Sequence, residues 1–136
     1  MYLSRLDHEQ KELFLDLCIH ASMSDNDFSD EEKAIIFQYC AEMQLPDIRY
    51  EANHSTDEVI EELVKISSPD ELRIILMEIT ALVISDNACN QHEQRFMDKL
   101  VEKIGVSDKA LSDLTNSLNE LTSVYTKINN FIFGTD

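Results

Sequence analysis

A short acidic segment occurs twice in this chain, 61 positions apart, and each copy lies between apolar stretches with helical spacing. Residues 24–32 read Ser-Asp-Asn-Asp-Phe-Ser-Asp-Glu-Glu, and residues 85–93 read Ser-Asp-Asn-Ala-Cys-Asn-Gln-His-Glu. Flanking apolar positions coincide as well, among them Phe14 with Ile75, Cys18 with Ile79 and Ile36 with Met97. A repeated helix–acidic turn–helix unit predicts two pseudo-equivalent halves, about residues 8–46 and 69–107, packed around one core.

The composition favours helices over sheets. Only two glycines and two prolines occur in 136 residues, which argues against the many tight turns of a sandwich or barrel. With 43% hydrophobic residues the chain can bury a sizeable core. We therefore predict an all-α fold, a compact bundle of about six to seven helices. It would form a single domain, residues 1–136, with a C-terminal amphipathic helix at about residues 107–130.

Local capping signals mark the helix ends. A serine followed three residues later by glutamate forms a capping box, in which each side chain binds the backbone N–H group of the other residue. Leu45-Pro46 predicts the end of the second helix, and Gly105 that of the fifth. The helix of about residues 69–85 is the most apolar, so we expect it to be central. The predicted N-caps are Asp7, Ser29, Ser55, Ser68 and Ser107.

The last helix carries apolar residues at alternating steps of three and four, the spacing of a coiled-coil seam. Within a small bundle such a seam is more often core than a dimer interface, and we predict core. Phe131, Ile132 and Phe133 follow it, and they either pack back on the bundle or form an exposed apolar end. The seam comprises Leu111, Leu114, Leu118, Leu121, Tyr125 and Ile128.

A formal charge of −16, from 27 acidic and 11 basic residues, restricts the partners. It repels nucleic-acid phosphates and anionic membranes, so we expect no nucleic acid and no membrane insertion. Cations and basic protein surfaces are the natural partners. Cys18, Cys40 and Cys89 are odd in number and form no Cys-x-x-Cys pair. We interpret them as buried free thiols in the cytoplasm, and the N-terminus lacks the apolar segment of a signal peptide.

The first acidic turn is the best candidate for a binding site. Clustered carboxylates attract hard cations such as Ca²⁺ or Mg²⁺. An EF-hand is excluded, because the sixth loop position would be Asp30 instead of glycine and the twelfth Ile36 instead of glutamate. In a competing interpretation, Glu32 and Glu93 are only the glutamates of capping boxes. The five carboxylates of this turn are Asp25, Asp27, Asp30, Glu31 and Glu32.

Two stretches of the chain, 21–32 and 82–93, resemble the TerB-like tellurite-resistance family, in which a helix, an acidic turn and Ser-x-x-Glu opening an apolar helix occur twice. The resemblance covers roughly residues 12–115 and implies an acidic all-helical bundle, a role in tellurite resistance or the stress response, and divalent-cation binding. The acids carried over are Asp25, Glu32, Asp86 and Glu93. Asn26 and Asn87 stand where the family has glycine, and the second turn has lost most of its charge.

We therefore predict a non-catalytic TerB-like protein that binds a divalent cation at Asp25, Asp27, Glu32, Asp86 and Glu93, with the first turn the stronger site. The alternative is a metal-independent protein-interaction module whose acidic turns are structural caps. Either would be a monomer or weak homodimer with no certain cofactor. Glu51 and His54 have the spacing of a di-iron ligand pair, but no second pair exists. We expect His20 and His92 to be surface or capping residues.

Overall fold

The computed structural model describes residues 1–22, 29–45, 51–84 and 91–134. In these four ranges all regular secondary structure is helical, which confirms the all-α prediction. A short 3-10 helix, Leu3–Arg5, precedes six α-helices: α1 His8–Ser22, α2 Asp30–Met43, α3 Thr56–Ile66, α4 Pro69–Ile84, α5 Gln91–Ile104 and α6 Asp108–Phe133. The chain divides into two compact units, residues 1–105 and 106–136. The single domain and the pseudo-repeat stay predictions.

The helices begin where the capping signals predict. The Oγ atom of Ser29 accepts the N–H of Glu32 at 3.1 Å, and the N–H of Ser29 donates to Oε1 of Glu32 at 3.1 Å. Ser68 and Glu71 make the same reciprocal pair at 2.8 and 3.2 Å. These bonds satisfy N–H groups that the first turn of a helix leaves without backbone partners. The remaining predicted caps also bind N–H groups: Asp7, Ser55 and Ser107.

The end of α2 differs from the prediction. The helix stops at Met43, and Gln44 adopts the left-handed conformation with φ 58°. The N–H of Gln44 then binds the carbonyl of Ala41 at 3.1 Å, and that of Leu45 binds Cys40 at 3.0 Å. Such bonds satisfy the last carbonyls of a helix in place of water. The turn ends α2 before the proline does, and Leu45 is buried directly after it.

The central helix of residues 1–105 is α1, so the prediction that α4 is central was wrong. α1 packs against α2, α3, α4 and α5. Ten of its 15 residues are buried, including the polar Gln10 and Asp16. α4 is more hydrophobic than α1 but is not the central helix. A central helix such as α1 can bury polar residues when these have hydrogen-bond partners, so hydrophobicity alone does not identify it.

Tyr39 and Glu78 bring polar groups into the core, and Cys18 and Cys40 bring thiols there. The hydroxyl of Tyr39 donates to the carbonyl of Glu78 at 2.8 Å. The Glu78 side chain is buried, and burial raises the pKa of its carboxyl although the amino group of Met1 lies 2.9 Å away. Cys18 and Cys40 are free and buried, as predicted for them. Burial also raises the pKa of the Cys18 thiol well above its usual range.

α6 extends further than predicted. It continues through Phe133 and ends at Gly134, which has φ +65°. No proline or glycine lies between Ser107 and Gly134, so no residue in that range breaks the helix. The predicted burial of the whole seam was wrong for Tyr125 and Ile128, which are 57% and 47% exposed. Phe131, Ile132 and Phe133 form an exposed apolar end.

Within residues 1–22, 29–45, 51–84 and 91–134, no helix is both long enough and apolar enough to cross a bilayer.

Candidate functional site

Glu32 is the predicted metal ligand whose surroundings are best defined. It is the third residue of α2, and only 5% of it is exposed. One of its carboxylate oxygens, Oε1, accepts the N–H of Ser29 in the capping box. This bond positions the carboxylate against the start of its own helix. Glu32 is therefore a capping-box glutamate, and any contribution to a cation site would have to come in addition to this role.

Glu93 occupies the corresponding position in α5, as its third residue, and is 2% exposed. The residue before the helix, Asn90, lies outside the described residues, so the cap itself is not defined. Asp25, Asp27 and Asp86 also lie outside the described residues. The metal-site prediction that includes these three aspartates stays a prediction.

A cavity of about 700 Å³ opens between α1 and α3. Residues three or four positions apart share one face of a helix, and acidic residues repeat at that spacing on both helices. The cavity is therefore lined by six carboxylates and one lysine, Lys65. We call it the α1–α3 cleft. Its carboxylates are Glu9, Glu12 and Asp16 from α1 and Glu58, Glu61 and Glu62 from α3.

Asp16 anchors the wall of the cleft that precedes α3. It is 1% exposed, and its Oδ1 accepts the N–H of Asn53 at 3.0 Å. Its Oδ2 accepts a hydrogen bond from Nδ1 of His54 at 2.9 Å. The His54 ring is half exposed. A buried carboxylate that accepts both a backbone and an imidazole N–H holds residues 53–54 against α1.

Two further histidines extend this connection. Nε2 of His20 donates to the carbonyl of His54 at 2.7 Å, and Nε2 of His92 donates to the carbonyl of His20 at 2.9 Å. A carbonyl only accepts hydrogen bonds, so Nε2 carries the hydrogen in both rings. The three histidines thus link α5, α1 and the segment before α3. His92 is exposed, as expected, and His20 is partly exposed, and both rings bind backbone carbonyls of other segments.

The cleft has the charge of a cation-attracting surface but not the geometry of a chelate. Six carboxylates around one cavity produce a negative potential that concentrates cations. Within the described ranges, however, no three His, Cys, Asp or Glu side chains come together closely enough to hold a metal ion. The described lining also contains no Ser, Thr or Cys that could serve as a nucleophile beside His54. The cleft can therefore attract cations without coordinating them.

No sequence motif marks this cleft. Its two walls are separated by about 40 positions in the chain, and no short motif joins them. One local signal was available, because Asp16 interrupts the apolar run from Leu13 to Ile19. A carboxylate in the buried stretch of a helix needs hydrogen-bond donors, and this need indicates a neighbouring segment that supplies them.

Comparison with solved structures identifies the class of fold. The crystal structure of a tellurite resistance protein from Nostoc punctiforme matches with a TM-score of 0.68 and 19% sequence identity, covering 94% of this chain and 82% of that one. No protein-family model matches the chain, and no curated protein sequence does. The chain therefore has a TerB-like fold, which agrees with the resemblance of its duplicated turns.

Proposed function

We propose that this chain is a non-catalytic TerB-like protein of the cytoplasm that acts in tellurite resistance or the stress response by binding a divalent cation. The observation that carries the proposal is its structural similarity, over 94% of its length, to a tellurite resistance protein. The −16 charge supports a cationic ligand. The free, buried Cys18 and Cys40 are typical of a reducing compartment.

The first acidic turn is the proposed cation site, with Asp25 and Asp27 as its principal ligands. Carboxylate oxygens are what Ca²⁺ and Mg²⁺ prefer. Glu32 is a weaker ligand in this proposal than the sequence predicted, because its Oε1 is already engaged by the cap. The second turn, with Asp86 and Glu93, is a lesser site because it holds fewer carboxylates.

Thermal unfolding of chelator-treated protein tests this proposal. A ligand that binds only the folded state stabilises it by RT ln(1 + [L]/Kd), so a specific site gives a shift in melting temperature that begins near Kd and then grows with the logarithm of the cation concentration. We expect such a shift with Ca²⁺ or Mg²⁺ for the wild type. The double variant Asp25→Asn, Asp27→Asn should lose it, and Asp86→Asn should reduce it less.

The matched control is Glu61→Gln, Glu62→Gln, which removes the same charge from the α1–α3 cleft. If the shift reflects general screening of a −16 chain, both double variants will keep most of it and reduce it equally, and the proposed site is wrong. A cation response that persists in the Asp25, Asp27 variant and disappears in the Glu61, Glu62 variant would instead assign binding to the cleft.

A second candidate function is a protein-interaction module that needs no metal. The observation that favours it is the capping box of Ser29 and Glu32, which is complete with protein groups alone. In this alternative the acidic turns serve as helix starts, and binding is done by apolar surface. Stability that does not respond to any cation, together with normal folding of the Asp25, Asp27 variant, would support the alternative over the cation site.

The non-catalytic part of the proposal is supported by the chemistry of the cleft. Asp16 and His54 form a carboxylate–imidazole pair, which can orient a general base. Catalysis of the serine- or cysteine-hydrolase type also needs a hydroxyl or thiol within reach of the base, and the described lining supplies none. A screen of ester, phosphoester and peptide hydrolysis should therefore give no activity that depends on His54.

A further inference from the structure

We propose that the C-terminal half of α6 is a self-association surface that pairs with the same surface of a second copy of this chain. The apolar residues of this half form a regular pattern. Starting at Leu121, they recur at steps of three and one, which keeps them on one side of a helix as a continuous stripe. We call these residues the α6 stripe: Leu121, Val124, Tyr125, Ile128, Phe131 and Ile132.

The stripe is exposed over most of its length. Val124, Tyr125, Ile128, Phe131 and Ile132 are each about half exposed or more, and Phe131 reaches 87%. If a partner covers these side chains, each copy buries on the order of 700 Å². That is close to the roughly 800 Å² per partner of a standard stable interface. A monomer seldom leaves apolar surface of this extent uncovered.

The spacing indicates that another helix covers the stripe. It continues the seam of Leu111, Leu114 and Leu118, with alternating steps of three and four. This repeat is the signature of helices that pack along one another with interlocking side chains. A lipid surface or a globular groove does not require such a regular repeat. The complementary occupant is therefore a second amphipathic helix.

The distribution of charge along the chain indicates that this helix belongs to a second copy of the chain. Residues 1–120 carry 26 of the 27 acidic residues, whereas residues 121–134 carry no acidic residue and one basic one, Lys127. Two copies repel each other wherever acidic surface meets acidic surface. Residues 121–134 form a long segment without acidic residues, so two copies can meet there without that repulsion. This inference holds whether or not the acidic turn binds a cation.

Phe133 provides a matched control within the same helix. It is exposed, like Phe131, but lies about 160° around the helix from it, outside the stripe. The experiment is sedimentation of the full chain over a range of concentrations at physiological salt. The wild type should show a reversible monomer–dimer equilibrium. Phe131→Ser should weaken dimerisation at least tenfold, and Phe133→Ser should leave it unchanged within a factor of two.

A charge substitution strengthens the test. Ile128→Glu should abolish dimerisation, whereas Thr126→Glu, on the opposite side of α6, should preserve it, and circular dichroism should show equal helix content in both. A wild type that stays monomeric at all concentrations would overturn the proposal. Equal weakening by Phe131→Ser and Phe133→Ser would overturn it too, since it would indicate non-specific apolar association. Binding to neutral lipid vesicles without dimerisation would assign the stripe to a lipid surface instead.

Discussion

The carboxylates at the helix starts stabilise the fold, whereas those in the α1–α3 cleft contribute little to its stability. At the helix starts, Glu32 is buried and its oxygen is used by the Ser29 N–H. In the cleft, Glu9 and Glu61 are exposed and their charges face a shared cavity. The first kind stabilises the fold through a directed hydrogen bond. The second kind stabilises little, because exposed like charges around one cavity repel each other.

This difference shows that acidity alone does not identify a binding site. A carboxylate that caps a helix is satisfied by N–H groups and has less to offer a cation. A carboxylate in the cleft is available to solvent, but the described residues of the cleft include no group of three His, Cys, Asp or Glu side chains that could hold a metal ion. This contrast supports our proposal that specific cation binding belongs to the first acidic turn and only diffuse attraction to the cleft.

Asp16 is the exception in the cleft, and its removal should have the largest effect. It is buried and accepts the N–H of Asn53 as well as Nδ1 of His54. Asp16→Ala leaves both donors without this acceptor, so we expect a loss of about 3 kcal/mol in the free energy of unfolding. Urea unfolding at neutral pH, followed by circular dichroism, measures it. Glu9→Ala, in the same helix and cleft, should change the value by less than about 0.5 kcal/mol. Equal effects would remove the distinction between anchored and exposed carboxylates.

Ser29→Ala should have the next largest effect. It removes the oxygen that accepts the N–H of Glu32, and loss of an N-cap typically costs about 1 kcal/mol. The free energy of unfolding, measured by urea, should therefore fall by that amount, and saturating Ca²⁺ should not restore the difference between variant and wild type. Restoration by Ca²⁺ would mean that the cation can replace the cap, and the cap and the proposed cation site would then not be independent.

Glu78→Gln tests a carboxylate that burial penalises. Burial raises the pKa of Glu78 above its usual value, so the folded state disfavours the charged form. The contribution of the protonated carboxyl to the free energy of unfolding is fully present below the unfolded pKa of about 4.5. It is lost as the pH rises through the folded pKa. We expect the variant to be more stable than the wild type at pH 7. The difference in the free energy of unfolding should shrink as the pH falls through the folded pKa of Glu78 and vanish below the unfolded pKa. A difference that does not change with pH would show that Glu78 is not penalised by burial.

Glu61→Gln, Glu62→Gln should have the smallest effect. These carboxylates line the cleft beside other acidic groups, so neutralising them relieves repulsion and changes the free energy of unfolding by no more than about 0.5 kcal/mol. The change should be stabilising at low salt and should disappear at about 0.5 M salt, where the Debye length is a few ångströms. Destabilisation of 1 kcal/mol or more would indicate that these side chains make structural contacts like those of Asp16.

The sequence predicted the parts of the fold that depend on neighbouring residues. The caps at Ser29 and Ser68 follow from three-residue spacings, so they could be recognised without any knowledge of packing. The cleft could not be predicted in this way, because α1 and α3 meet only through the tertiary fold. The central position of α1 was missed for a related reason, since hydrophobicity does not reveal that a buried Asp16 has partners at residues 53–54.

The most direct test of the cation assignment is calorimetric titration of Ca²⁺ and of Mg²⁺ into chelator-treated protein at physiological ionic strength. We compare the wild type with the Asp25→Asn, Asp27→Asn variant and the equally charged Glu61→Gln, Glu62→Gln variant. The account predicts a saturable isotherm for the wild type and the cleft variant and none for the turn variant. Saturable binding that survives in the turn variant, or that is lost in the cleft variant, would contradict it.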